Sequence, residues 1–401
     1  MCKEMLFDKK GLLKNRNVHY SYQEIAYLVQ CYTDVRLGLS QTDSDEYLDE
    51  VTKSKLFHLL GWTYPRESQM RELMKLCDFS QDEKLLRADI MFDLVCIYET
   101  AELICSRLTV SPEDPLLDEV AYYTSLHAFR SVLDDDQQKL TLFDACYMND
   151  PLEEKILTGY LGLLNSSVQS SHIFLKSFSA AGESFPMWNK YGENHRGLYV
   201  KIDRSFFENL ADHEEHVKLY RVVYWSENDI TEITQSSNEK DNDCLIDEIN
   251  QQLKKLKIYI DDIWNVCAGV IANEKVAKKQ GDQLKRMITD SIHDAIRYLC
   301  FLCKSDTSAY EKELRIVYEP KHRNRVMLIP TTEEELPVVS VKLPVPLCVS
   351  KVVLGACFEN TSKAVPYLAN RAYQMCPSEE KDCFFRKGIG FSELLPENIH
   401  F

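Results

Sequence analysis

Two glutamates two residues apart, Glu311 and Glu313 in "YEKELRIVYE" (Tyr310 to Glu319), followed by Arg315, have types and spacing that could do chemistry. On a strand, alternate side chains share a face, so the three are expected to point the same way. Adjacent carboxylates raise each other's pKa, which suits one of them to act as a general base. The same triplet also fits an ordinary strand face of cross-strand ion pairs. A second set stands in "KSFSAAGESFPMWNKYG" (Lys176 to Gly192), where Ser177 and Ser179 close a strand-like run and Trp188 and Tyr191 follow at i, i+3 helical spacing. Two rings on one helix face can roof a flat, electron-poor ligand ring, or they can fill a core.

Other chemistries are poorly served. The 47 basic against 63 acidic residues leave a net charge of -16, which repels a phosphate backbone and disfavours nucleic acid as a partner. No Gly-rich phosphate loop, HExxH or G-x-S-x-G occurs. His127, His172 and His195 lack a carboxylate or cysteine at metal spacing, and the close pair Cys300 and Cys303 lacks a second pair, so no metal is expected. The 14 cysteines are scattered through apolar segments and read as reduced core thiols. No apolar run is long enough for a transmembrane helix, and the first residues carry no secretory h-region. A cytoplasmic chain is expected, with export without a cleavable signal as the other route.

The elements that must position these residues fall into two blocks. Residues 1–118 read as a helical accessory domain. "SYQE" (Ser21 to Glu24) and "SQDE" (Ser80 to Glu83) have capping-box spacing, and Leu85, Leu86, Ile90, Leu94, Ile97 and Tyr98 recur at helical intervals until "SPEDP" (Ser111 to Pro115). Residues 119–401 read as an α+β domain, a mixed or antiparallel β core with helical insertions. Its strand signals are "VAYYTSL", "HIFLKSFS", "GLYVKID", "YRVVYW", "ELRIVYE", "VVSVKL" and "KVVLGACF". A helical insert at about 228–303 is expected to open on a polar loop, "SENDITEITQSSNEKDND". Asn149, Asp150 and Pro151 read as a turn and helix start.

Five blocks, "YYTSL" (Tyr122 to Leu126), "MNDPLEEK" (Met148 to Lys155), the Ser-Phe-Ser stretch with Met187-Trp188 and Tyr191, "YEKELRIVYE" and "SKVVLGACF" (Ser350 to Phe358), occur in order. Together they resemble the bacterial family catalogued as domain of unknown function 2971, over roughly residues 119–360. A Ser-x-Ser strand end and a later Glu-x-Glu strand with an aromatic between them are also similar to the site layout of ADP-ribosyltransferases. That resemblance implies an NAD-dependent ADP-ribosyltransferase of an effector, toxin or defence system, acting on a protein or small-molecule acceptor. An NAD glycohydrolase and a non-catalytic nucleotide-sensing or protein-binding module are the alternatives. Carried over residue by residue, it implies that Ser177 orders the site and hydrogen-bonds Glu313. Glu313 grips the ribose 2'-hydroxyl of NAD, and Glu311 assists. Tyr122, Tyr123, Thr124, Ser179, Trp188, Tyr191 and Arg315 contact the dinucleotide. Where such transferases carry Arg or His on the first strand this chain has Tyr122, and Arg130 and Lys176 are the basic residues able to compensate.

Overall fold

The structure, a computed structural model, describes residues 81–147, 153–163, 173–213, 217–227, 229–235, 240–271, 278–320, 326–329, 338–376 and 388–394. In chain order the described elements are α1 (Gln81–Leu108), β1 (Ala121–Thr124), α2 (Leu126–Leu133), β2 (Lys139–Asp144), α3 (Glu153–Tyr160), β3 (Phe174–Ser179), α4 (Phe185–Tyr191), β4 (Leu198–Ile202), α5 (Arg204–Asp212), β5 (Lys218–Arg221), β6 (Val223–Ser226) and β7 (Asp229–Ile233). They continue with α6 (Lys240–Ile271), α7 (Lys278–Cys300), β8 (Cys303–Ser305), β9 (Glu313–Tyr318), β10 (Val326–Ile329), β11 (Val338–Pro346), β12 (Val349–Leu354), α8 (Thr361–Gln374) and β13 (Ile389–Phe391). The chain is α+β. It divides into two compact units, one of Met1–Ser106, Thr158–Gln169 and Ile249–Leu299, the other of Arg107–Leu157, Ser170–Glu248 and Cys300–Phe401.

The first unit is helical where it is described. Leu94, Ile97, Ala101 and Ile104 of α1 are buried at steps of three and four residues, as are Ile249, Leu253, Leu256, Ile260 and Ile263 of α6. Ile288, Ile292, Ile296 and Leu299 do the same along α7. Each helix therefore buries one stripe, the pattern expected when packing rather than propensity holds it. The "SYQE" box, Ser80 of "SQDE", Asn149–Pro151 and His172 lie outside the described residues.

The second unit is built on a 10-stranded sheet in the order β10-β11-β2-β3-β1-β4-β12-β13, with β9 joined to β3 and β5 joined to β9. Its pairings are antiparallel except β12 with β13. Alternation makes the two faces different. Even-numbered positions of the central strands, Tyr122, Phe178, Val200, Leu314, Ile316 and Val352, belong to the main apolar core with Phe129 and Val132 of α2 and Phe206 of α5. Odd positions Ala121, Tyr123, Tyr199 and Val353 pack with Met187 and Trp188 of α4. Local chemistry starts the helices: Ser125 Oγ accepts from Ala128 N at 2.9 Å, and Asp203 caps α5 through Ser205 N at 3.0 Å.

Two expectations change here. "YRVVYW" is not one strand: it breaks at the buried Val222, so β5 pairs with β9 while β6 joins a separate sheet of order β7-β6-β8. Aromatic residues stand on both sides of the break and the β-branched Val222 sits at it, so composition alone does not reveal the break. The stretch expected as a polar loop contains β7, whose Ile230 and Ile233 are buried against an otherwise polar run.

The link between α4 and β4 is unusual. Glu193, Asn194 and His195 all have left-handed backbone, at φ 51, 53 and 65. Such residues cost about 1–2 kcal/mol each relative to the right-handed form. The turn holds because glycines make room for it. A Cβ at Gly197 would lie 2.5 Å from Thr124 O, and one at Gly355 would overlap the His195 carbonyl. Thus Gly355 of the closing "VVLG" block exists to admit this turn. It lets Cys357 N donate to His195 O at 2.8 Å.

Candidate functional site: a buried run of alternating charges

β3 and β9 lie side by side, with Ser179 opposite Glu313 and Ser177 opposite Arg315. Directly opposed residues share a face, so these four side chains, all odd-numbered, leave the main core to the even positions. β9 is buried along its whole length. Two charged residues on it therefore require partners, since a lone buried charge is very costly.

Lys304 of β8 supplies the first. Its ammonium donates to Glu311 Oε2 at 2.6 Å and to Glu313 Oε2 at 2.8 Å. Arg315 supplies the second, donating from Nε to Glu313 Oε1 at 2.6 Å and from Nη2 to Oε2 at 3.1 Å, while its Nη1 donates to Phe301 O at 2.6 Å. The Glu313 main chain is held too: its N–H donates to the Tyr224 hydroxyl at 2.7 Å, and its carbonyl accepts from Thr234 Oγ1 at 2.7 Å. At the other end, Lys190 Nζ and the Tyr191 hydroxyl both donate to Glu311 Oε1, at 2.8 and 3.1 Å. The result is a run of alternating charge, Lys190, Glu311, Lys304, Glu313, Arg315. The Lys190 side chain is 48% exposed and those of the other four at most 6%, so the run opens to solvent at its Lys190 end.

The electrostatics follow from this order. Burial raises the Glu313 pKa, but Arg315 and Lys304 outweigh it and bring it down to about 2. Burial likewise pulls the Lys190 ammonium down, yet Glu311 and Tyr191 hold it above the usual lysine range. The expectation that the two carboxylates raise each other's pKa is thus corrected for Glu313: a cation sits between them, so it stays ionised.

Strand alternation does not bring Glu311 to Glu313. Glu311 ends the 3-10 helix Asp306–Glu311, and Lys312 between them is left-handed at φ 41. The convergence comes from that turn, which Ser179 secures by donating from Oγ to Glu311 O at 2.6 Å. The Ser179 hydroxyl therefore donates to a glutamate main chain, and it accepts from Ala181 N at 3.1 Å. Ser177, half-buried, faces Arg315 rather than Glu313.

The expected ligand-binding residues separate. Tyr191 and Arg315 belong to the run of charges. Trp188 is fully buried, edge-to-face with Tyr123 at 5.0 Å and stacked on His195 at 6.0 Å, so its ring is core and has no open face for a ligand. Tyr123 pins the loop before α4, donating to Gly182 O at 3.0 Å and accepting from Ser184 N at 2.9 Å. Tyr122 points to the opposite face of the sheet, and Thr124 ends β1 opposite Leu198. Sequence reasoning missed Lys304, Lys190, Tyr224 and Thr234. For Lys304 a signal existed, a single cation closing the apolar run "YLCFLC" just before the glutamates.

Cys300 and Cys303 are both buried. Among the described residues no group of three or more His, Cys, Asp or Glu side chains is placed to hold a metal ion, and no helix is long and apolar enough to cross a membrane. Residues 187–316 match the family model described as "Protein of unknown function (DUF2971)", the family that the ordered blocks resemble. The match takes in Trp188, Tyr191, Lys304, Glu311, Glu313 and Arg315, with Tyr122, Ser177 and Ser179 lying before it. No curated protein and no solved structure matches the chain.

Proposed function

We propose that the protein moves ADP-ribose from NAD to a protein or small-molecule acceptor, at the face shared by Ser177, Ser179, Glu311 and Glu313, on an ADP-ribosyltransferase-like core. The observation that carries this reading is the pairing of the serine strand directly with the glutamate strand, Ser179 against Glu313 and Ser177 against Arg315. In such a reaction the bond from ribose C1' to nicotinamide breaks, and its electron pair leaves with neutral nicotinamide. An acceptor oxygen or nitrogen then bonds C1' and releases its proton to solvent. Positive charge develops on the ribose, and ionised carboxylates beside it are the groups that stabilise such charge. The open end of the run supports entry of the cationic nicotinamide ring there. That ring competes with Lys190 for Glu311, beside the half-buried Tyr191. Water in place of the acceptor gives NAD hydrolysis.

One observation favours a second reading, a non-catalytic nucleotide-sensing module: Glu313 is only 4% exposed and both its oxygens are occupied by Lys304 and Arg315. Mass spectrometry of NAD incubated with the full chain and a cell extract separates the possibilities. Transfer yields nicotinamide with ADP-ribosylated product, hydrolysis yields free ADP-ribose, and sensing yields intact NAD with a saturable binding isotherm. Intact NAD without binding ends every NAD-based reading.

A further inference from the structure

The edge of β3 that faces β1 and β2 is only partly used. β2 pairs with it at Phe174 and Leu175, β1 at Ser179, and neither pairs with Lys176, Ser177 or Phe178. The two branches of the sheet thus leave β3 at different ends. The direction of the backbone at the gap follows from alternation along an antiparallel strand. Ile173 O accepts from Ala145 N on the β2 side, and Ala180 N donates to Lys312 O on the β9 side, so the odd residue Ser177 turns its N–H and C=O toward the gap.

Two polar groups beside this gap lack partners of their own kind. Lys176, on the apolar even face and only partly exposed, has its Nζ 4.5 Å from the centre of the Tyr122 ring, and among the described residues no carboxylate pairs with it. The Tyr122 residue is 4% exposed, and its hydroxyl is buried without a hydrogen-bond partner. A buried hydroxyl left without a partner is costly, so it is a group that a ligand would satisfy.

We propose that this gap is a binding site for a small oxyanion, phosphoryl or carboxylate, held by the Lys176 ammonium and the Tyr122 hydroxyl at the unpaired Ser177 edge. Both groups are donors to such a ligand. Burial holds the Tyr122 hydroxyl protonated far above its usual range, and burial without a counter-charge brings the Lys176 pKa down to about 8. An anion bound there would restore the missing counter-charge and stabilise the charged ammonium. The inference does not rest on ADP-ribosyl chemistry, because Lys176 and Tyr122 lie on the sheet face opposite Glu313 and Ser179.

The test titrates the full chain with inorganic phosphate, acetate and NAD, following heat of binding and, by NMR, the lysine side-chain amine of Lys176 assigned with Lys176→Arg. At least one probe binds saturably and shifts the Lys176 resonance. Lys176→Met weakens that binding by about tenfold or more and Tyr122→Phe by about threefold to tenfold, the ranges for a charged and a neutral hydrogen bond. Phosphate without acetate identifies a phosphoryl site, and competition by NAD identifies a dinucleotide as its source. No saturable binding by any probe, or binding that leaves the Lys176 resonance unmoved, overturns the proposal. Should Lys176→Met fail to fold, the wild-type resonance still decides. A Glu313→Gln chain that has lost NAD turnover should keep this anion site, so the two proposals fail separately.

Discussion

Replacing Lys304 with methionine removes the cation that two carboxylates share while keeping a similar volume. Lys304 donates to Glu311 at 2.6 Å and to Glu313 at 2.8 Å with its side chain 6% exposed, so no water shell takes over its role. Breaking a buried pair by removing one partner costs about 3–5 kcal/mol. The lower end applies, because Glu313 keeps Arg315 and Glu311 keeps Lys190 and Tyr191. At about 3 kcal/mol, and about 2–4 °C per kcal/mol for a unit of this size, the melting temperature falls by roughly 6–12 °C. The sign of the pH dependence adds a second check. With Lys304 gone the two like charges face each other, so one carboxyl titrates above its unfolded value. The folded variant then binds a proton that the unfolded chain does not, and its deficit shrinks as pH falls from about 7 to about 5. Urea denaturation at both pH values measures this. A loss under about 1 kcal/mol, or a deficit that does not change with pH, would refute the claim that the run of charges is buried and coupled.

Three further outcomes follow from the same geometry. Glu313→Gln leaves Arg315 and Lys304 short of a charge, so thermal unfolding should show a loss of about 3 kcal/mol, and under the proposed chemistry NAD turnover should fall by roughly a hundredfold. In the wild type, the depressed Glu313 pKa contributes stability that is complete above the unfolded value and is lost as pH falls from about 4.5 toward about 2; the wild-type curve should be steeper there than that of Glu313→Gln, and equal slopes would contradict the assignment. Gly355→Ala places a methyl group where the His195 carbonyl lies, an overpacking that should cost about 1–3 kcal/mol, read from the shift in urea midpoint.

Much of the layout was legible in the sequence because it rests on local rules. Strand alternation and β-branched composition marked β1, β3, β4, β9, β11 and β12, and helical periodicity marked Leu94 and Ile97 of the α1 stripe, the side chains of Leu85, Leu86 and Ile90 lying outside those described. Ser177, Ser179, Glu313 and Arg315 on one face also follow from period two once β3 and β9 pair. That pairing joins residues more than a hundred positions apart, and no local signal encodes it. The tertiary structure alone decided three things. It supplied Lys304 from a short strand of another sheet, turning a pair of carboxylates expected to raise each other's pKa into an ion-paired run that holds Glu313 down. It brought Glu311 in through a left-handed Lys312 rather than along a strand. It also sent Trp188 into the core while its neighbours Lys190 and Tyr191 reached Glu311, a choice set by which side of α4 meets Tyr123 and Tyr199. Periodicity says which residues share a face; what lies across from that face is set by contacts distant in sequence, and burial with its partners, not residue type, determines the charge state each side chain keeps.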